Sequence, residues 1–126
     1  MALLFSQEIL NAVNKELRTA KDSVQIISAY CNENAIKQLN NFISDSVQEK
    51  KIMVRFRLDD ILKGSTDFSI IDFCQQSGWK VYIRFDLHVK TYIVDGKRGF
   101  VGSANATNSG LNLGSHGNVE IGTLVD

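Results

Sequence analysis

No stretch of this sequence is apolar for long enough to cross a membrane, and its opening, MALLFSQEIL, lacks the basic region and apolar core of a signal peptide. The expectation is a cytoplasmic protein without a membrane partner. Cysteine is scarce: Cys31 and Cys74 belong to no CxxC pair or Cys/His cluster. Two reduced, buried thiols are expected, and no metal or other cofactor. Net charge is missing too, because 14 basic and 14 acidic residues cancel. That argues against a chain held on DNA or anionic lipid by global charge alone; a polyanion would need a local patch or a second domain. Proline is absent, and no functional conclusion follows from that. Internal repeats, linkers and low-complexity segments are absent as well.

What remains is an ordinary globular composition, 44% hydrophobic and 22% charged, over 126 residues, the length of one domain with a real core. Ser6 is placed to cap a helix with Ile9, Leu10, Val13 and Leu17 at helical spacing. A buried strand follows at SVQIISAY, then a helix opened by Asn32 with Ala35, Ile36, Leu39, Phe42 and Ile43 facing inward. KIMVRFRL alternates, with Ile52, Val54, Phe56 and Leu58 on one face and Lys51, Arg55 and Arg57 on the other. A third helix is expected over STDFSIIDFCQQSG, capped by Ser65 or Thr66 and stopped by Gly78. Strands KVYIRF and NVEIGTLV and a helical turn near 107–111 complete the pattern. Helices alternating with strands, then a cluster of strands, make an α/β domain, a mixed β-sheet flanked by helices. The last residues are strand-like, which fits a catalytic fragment of a longer protein as well as a natural end.

Chemistry concentrates in LHVKTYIVDGKRGFVGSAN, residues 87–105. If this run is a strand, His88 and Lys90 are two apart and share a face. Asp95-Gly96 reads as a hairpin turn, and Gly102-Ser103-Ala104-Asn105 as the loop after the returning strand. Asp95 has the opposite parity to His88 and Lys90, so it is expected to organise the hairpin and not to touch substrate. An ammonium, a carboxamide and hydroxyl and backbone donors together can hold the charged oxygens of a phosphodiester. A neutral imidazole beside them can attack the phosphorus.

As spacing, the stretch is H-x-K-x4-D-x6-G-S-x-N: His88, Lys90, Asp95, Gly102, Ser103 and Asn105. It resembles the phospholipase D superfamily, the HKD phosphodiesterases. In type it is similar to that family's small single-motif bacterial endonucleases and the catalytic domains of its restriction enzymes. The likeness runs from Ser23 onward in general pattern and from His88 to Glu120 in detail. It implies a phospholipase-D-like fold and metal-independent catalysis, with His88 as nucleophile, Lys90, Asn105 and Ser103 around the phosphate, and Asp95 and Gly102 as signature positions. Two readings of Glu120 stand open: a solvent-facing strand residue, or the acceptor that fixes the tautomer of His88. Lys51, Arg55 and Arg57 could follow a phosphate backbone, although such a stripe is as readily the solvated face of a strand.

The leaving oxygen needs a proton, and His88 cannot be nucleophile and acid in one step. The family meets this with two motifs, and this chain has one. The resemblance therefore implies a homodimer sharing one site, or a second motif in a longer parent chain. His116, the other histidine, is more simply an exposed loop residue than a catalytic one. Nucleic acid, DNA in particular, is the expected substrate: the chain is short, nothing amphipathic or aromatic-rich points to lipid docking, and the basic stripe is available. Two alternatives stand beside it, a phospholipid hydrolase or phosphatidyl transferase, and a non-catalytic dimerisation or nucleic-acid-binding module.

Overall fold

The computed structural model describes residues 2–113 and 118–126. A seven-stranded mixed sheet forms its spine, in the order β1-β7-β6-β5-β2-β3-β4. The strands are β1 (Leu4–Phe5), β2 (Ser23–Ser28), β3 (Glu49–Val54), β4 (Trp79–Ile83), β5 (Lys90–Val94), β6 (Arg98–Gly102) and β7 (Ile121–Val125). The helices are α1 (Gln7–Arg18), α2 (Glu33–Phe42), α3 (Leu58–Leu62) and α4 (Ile70–Gln76). Strands β2, β3 and β4 run parallel because helices carry the chain back between them. Strands β5, β6 and β7 are antiparallel neighbours; a short turn joins β5 to β6, and the long segment between Gly102 and Ile121 joins β6 to β7. Among the described residues no helix is long and apolar enough to cross a membrane.

Period-two burial fixes which face is core. In β2, Val24, Ile26 and Ser28 are buried while Ser23, Gln25 and Ile27 stay partly exposed. Ile52, Tyr92 and Phe100 continue the buried face across β3, β5 and β6. Against it pack Ile9, Val13 and Leu17 of α1, Ile36 and Leu39 of α2, and Ile70 of α4. The opposite face of the sheet, with Ile27, Met53, Tyr82, Thr91 and Val101, is only half-covered or exposed. Both cysteines are buried and reduced. Burial pushes the Cys31 thiol well up and that of Cys74 up to about 11, which leaves both as unreactive thiols at neutral pH.

Three local expectations change. Strand β3 ends at Val54, not Leu58, and the residues beyond it turn into the unforeseen helix α3. Helix α4 begins at Ile70 behind Ser69, not at Ser65 or Thr66, although it does stop before Gly78, which takes a φ of 82°. Ser6 occupies the N-cap position of α1 but makes no side-chain cap. Its backbone N–H donates to Glu120 O at 2.9 Å, tying the start of α1 to the chain before β7, while Glu8 Oε1 accepts from Phe5 N at 3.2 Å.

The β5–β6 turn is fastened from outside. Asp95 and Gly96 have φ of 55° and 65°, the left-handed conformations such a turn needs and glycine tolerates best. The Asp95 carboxylate accepts from the N–H groups of Lys21, Asp22 and Ser23 at 2.8 to 3.2 Å, and Asp95 N donates to Ser23 O at 2.8 Å. One side chain thus locks the hairpin to the beginning of the central strand β2. Burial works to raise its pKa, but the backbone donors of Asp22, Ser23 and Lys21, with Arg98, overcome this and hold it below the usual carboxylate range. The stabilisation belongs to the ionised form, so it is present above the unfolded-state pKa, about 4, and is lost as pH falls through the lower folded value. Asp95→Asn should cost about 1.5–3 kcal/mol in urea unfolding at pH 7. Its deficit relative to wild type should shrink at acid pH; a deficit equal at pH 3 and pH 7 would contradict this.

Candidate active site

The candidate residues gather at one end of the sheet, where β2 leaves its C-terminus and β5 begins. Lys90 lies directly opposite Ser28 in the β2–β5 ladder. The Ser28 hydroxyl, fully buried, accepts from Ala106 N at 2.8 Å and donates to Tyr30 O at 2.5 Å. It also reaches Asn105 Oδ1 at 3.3 Å, and Tyr30 N donates to that same oxygen at 3.1 Å. The backbone donor settles which end of the amide is oxygen. Asn105 therefore keeps its Nδ2 donors for something outside this network. The end of β2 thus brings together the Lys90 ammonium, across the ladder from Ser28, and the Asn105 carboxamide, bound at Ser28 and Tyr30.

Residues 102–105 are held from below and from the side. The buried Tyr92 hydroxyl donates to Ala104 O at 3.0 Å, and burial raises its pKa well above the ordinary phenol value. Gly102 has no room for a side chain: a Cβ there would stand 2.7 Å from the Gly122 Cα and 2.9 Å from the Phe100 ring. Ser103 Oγ donates to Glu120 Oε2 at 2.6 Å and accepts from Ile121 N at 3.0 Å. Glu120 is buried, 8% exposed, just before β7, so it is not a solvent-facing strand residue. Its recorded partner is Ser103, not His88.

His88 is placed differently from the strand reading. Strand β5 starts at Lys90, so the two-residue parity between His88 and Lys90 does not operate. His88 lies in the preceding segment, exposed, and its carbonyl accepts from Lys90 Nζ at 2.9 Å. Two Lys90 donors remain. His88 borders an open groove with Ile27, Met53, Arg84, Asp86, Leu87 and Val89, whereas Asn105 lines a separate polar pocket with Tyr30 and Asn32. No hydrogen bond joins the imidazole to Lys90, Asn105 or Glu120 among the described residues. His116 lies outside the described residues.

The basic stripe is not one surface. Lys51 sits on the open face of the sheet, partly exposed. Arg57 is exposed beyond the strand and donates to Phe85 O at 2.6 Å. Arg55, 4% exposed, turns inward: Nε donates to Asp60 Oδ2 at 2.9 Å, and Nη2 to Asp60 Oδ1 at 3.1 Å and to Tyr30 Oη at 2.6 Å. Its guanidinium also lies 4.7 Å from the centre of the Tyr30 ring. The hydrogen bond to Asp60 outweighs burial and raises the Arg55 pKa further. Arg55 is thus a buried, paired cation bracing Tyr30, and not a phosphate-tracking side chain. Its partner lies in the helix that follows an alternation broken at Val54, so the strand pattern hid it. Ser28 and Tyr30 were hidden for a similar reason, since each reads as an ordinary residue at the end of a buried strand.

The sequence model of the family described as "Cardiolipin synthase, PLD-like domain" matches residues 13–126. The chain belongs to this phospholipase-D-like family. A search of curated proteins found no match. Among solved structures it is similar to Nuc from Salmonella typhimurium, a phospholipase D family member, at 19% identity and a TM-score of 0.71, covering 98% of this chain and 81% of that one. It is also similar to NucT from Helicobacter pylori, at 18% identity and a TM-score of 0.67 over 98% of this chain and 84% of that. The phosphatidylserine synthase of Haemophilus influenzae Rd KW20 aligns at 15% identity and a TM-score of 0.74, with 98% of this chain matching 32% of that one. These likenesses establish the phospholipase-D-like fold, and the family is one of phosphodiesterase-type enzymes.

Because the Ser28 hydroxyl is the junction of these bonds, Ser28→Ala strands the buried Ala106 N–H and loosens Asn105. The expected cost is about 1–3 kcal/mol in urea unfolding, with a shift of the Asn105 side-chain amide resonances. Wild-type stability together with unshifted Asn105 signals would refute the junction.

Proposed function

We propose that this chain is a metal-independent nuclease, DNA being the favoured substrate, working through a covalent phosphohistidine in a site shared by two subunits. The observation that carries the reading is the placement of Lys90 and Asn105. They supply a point charge and a directed amide donor at one sheet end, with the Asn105 oxygen already engaged by Tyr30 N and Ser28. Such a pair suits the non-bridging oxygens of a phosphodiester, and fixed donors need little reorganisation as charge grows on them.

In the proposed reaction a ring nitrogen of His88 attacks phosphorus, forming P–N while the P–O bond to the leaving group breaks. The leaving oxygen takes its proton from a general acid, assigned to His88 of a second copy, and that imidazole then accepts a proton from the water that cleaves P–N. Exposure of His88 at a groove edge suits attack across a two-fold interface. A second motif in a longer parent chain would serve equally. Ser103 and Glu120 form one hydrogen-bonded unit in this scheme; Glu120 steadies the 102–105 segment, and its second oxygen is the candidate acceptor for His88 when the dimer closes. Lys51 and Arg57 remain candidate phosphate contacts away from the centre. The zero formal charge means that long-range attraction to DNA is weak, so binding rests on these local contacts.

A second reading, phospholipid hydrolysis or phosphatidyl transfer, has one observation in its favour: Ile27, Met53, Leu87 and Val89 line the groove beside His88 with apolar side chains. Plasmid and single-stranded DNA cleavage in excess EDTA separates the readings. Wild type should cleave and His88→Ala should lose at least about 100-fold, the scale of a removed nucleophile or general acid. Cleavage restored only by magnesium, or activity on lipid vesicles with none on DNA, would overturn the nuclease proposal.

A further inference from the structure

Beside the proposed phosphate site lies a pocket that the signature residues do not account for. Asn105 forms part of its wall, and the remaining described lining is Tyr30, Asn32, Gly64, Ser65, Thr107, Ser109 and Asn118. None of these is ionisable at neutral pH, and nearly all carry a hydroxyl or carboxamide. Much of the wall is fixed from behind. Tyr30 is held by the buried Arg55–Asp60 pair, and Asp60 O accepts from both Ser65 N at 2.9 Å and Thr66 N at 3.2 Å, fastening the loop that carries Gly64 and Ser65. Asn32 Oδ1 accepts from Asn108 N at 3.2 Å, and Thr107 Oγ1 from Gly110 N at 2.9 Å, so the opposite wall is braced as well. The hydroxyls of Ser65 and Ser109 bond to no described residue, which leaves two donor–acceptor groups on a rigid frame.

We propose that this pocket is the subsite for the uncharged part of a nucleotide, a sugar or base next to the scissile phosphate. The inference rests on the nuclease reading and deepens it. Among the described lining residues a second phosphate would find no cation, and an acyl chain would find too little apolar surface. A neutral group with hydrogen-bonding edges matches what is offered, and Asn105, which lines the pocket, bridges the two subsites, its amide serving the phosphate. The arrangement also gives Arg55 a functional reason for being buried: through Tyr30 and Asp60 it sets the shape of the wall that reads the substrate.

The test is a titration of isotope-labelled wild-type protein, followed by amide NMR, with thymidine 5′-monophosphate, glycerol 3-phosphate and inorganic phosphate. Thymidine monophosphate should bind about five- to tenfold more tightly than either of the others, the worth of one or two neutral hydrogen bonds. It alone should shift the Thr107, Ser109 and Asn118 signals. In the Ser65→Ala/Ser109→Ala double variant that advantage should shrink several-fold, while the wild-type comparison stands whether or not the variant is well folded. Equal binding of nucleotide and inorganic phosphate, with shifts confined to Lys90 and Asn105, would overturn the subsite and leave a phosphodiesterase centre standing. Glycerol 3-phosphate matching the nucleotide would overturn the nucleoside assignment in favour of a lipid headgroup. No shift at Lys90 or Asn105 with any ligand would remove both proposals together.

Discussion

A single buried hydroxyl, that of Ser28, joins the fold of this protein to its candidate chemistry. It sits where the central strand ends, between the backbone of residues 30 and 106 and the side chain of Asn105, and directly across the ladder from Lys90. A hydroxyl suits the position because it donates and accepts at once, and no water is available to satisfy a buried N–H left alone. Around this point the sheet does the positioning. Tyr92 holds the Ala104 carbonyl from beneath, and the close approach of β6 to β7 at Gly102 and Gly122 sets the depth of the following loop. Asp95, at the far end of the same hairpin, pins it to the start of β2 through backbone donors. The central strand is therefore fastened to the β5–β6 hairpin at both ends, and the candidate anion-binding groups stand at the second fastening.

The sheet also explains an asymmetry in the site. Asn105, Ser103 and Glu120 are engaged through their side chains with residues of the frame, and Lys90 stands in its ladder opposite Ser28. His88 lies outside the regular strand, exposed, with its ring uncommitted among the described residues. Under the proposed function, a frame that holds the phosphate-binding groups and leaves His88 at an edge is what a site completed by a second surface requires. The largely apolar groove beside His88 and the neutral polar pocket beside Asn105 would give the two sides of a phosphodiester bound as proposed different environments.

Much of this was legible in the sequence, and the rest was hidden for physical reasons. The helices opened near Ser6 and Asn32, the Asp95-Gly96 turn and the six-position signature rest on short-range patterns, and those patterns are read well by periodicity and turn chemistry. The strand from Lys51 to Leu58 misled because its alternation continues by chance past Val54, where the strand ends, to Leu58, where a new helix begins; Leu58 is 69% exposed in consequence. Arg55 then reads as one of three surface cations, although its partners, Asp60 and Tyr30, become visible only when the chain folds back. Glu120 could not be assigned from parity, since it precedes β7 and is buried by its bond to Ser103. In each case a tertiary contact overrode a local pattern.

The central claim is that His88 carries the phosphoryl group. Rapid acid-free quenching of the protein during turnover of a DNA substrate, followed by peptide mass spectrometry, tests it most directly. The account predicts a nucleotide-derived phosphoryl adduct on His88 that is acid-labile and absent from His88→Ala. Continued turnover with no adduct on His88, or with the adduct on another side chain, would contradict it.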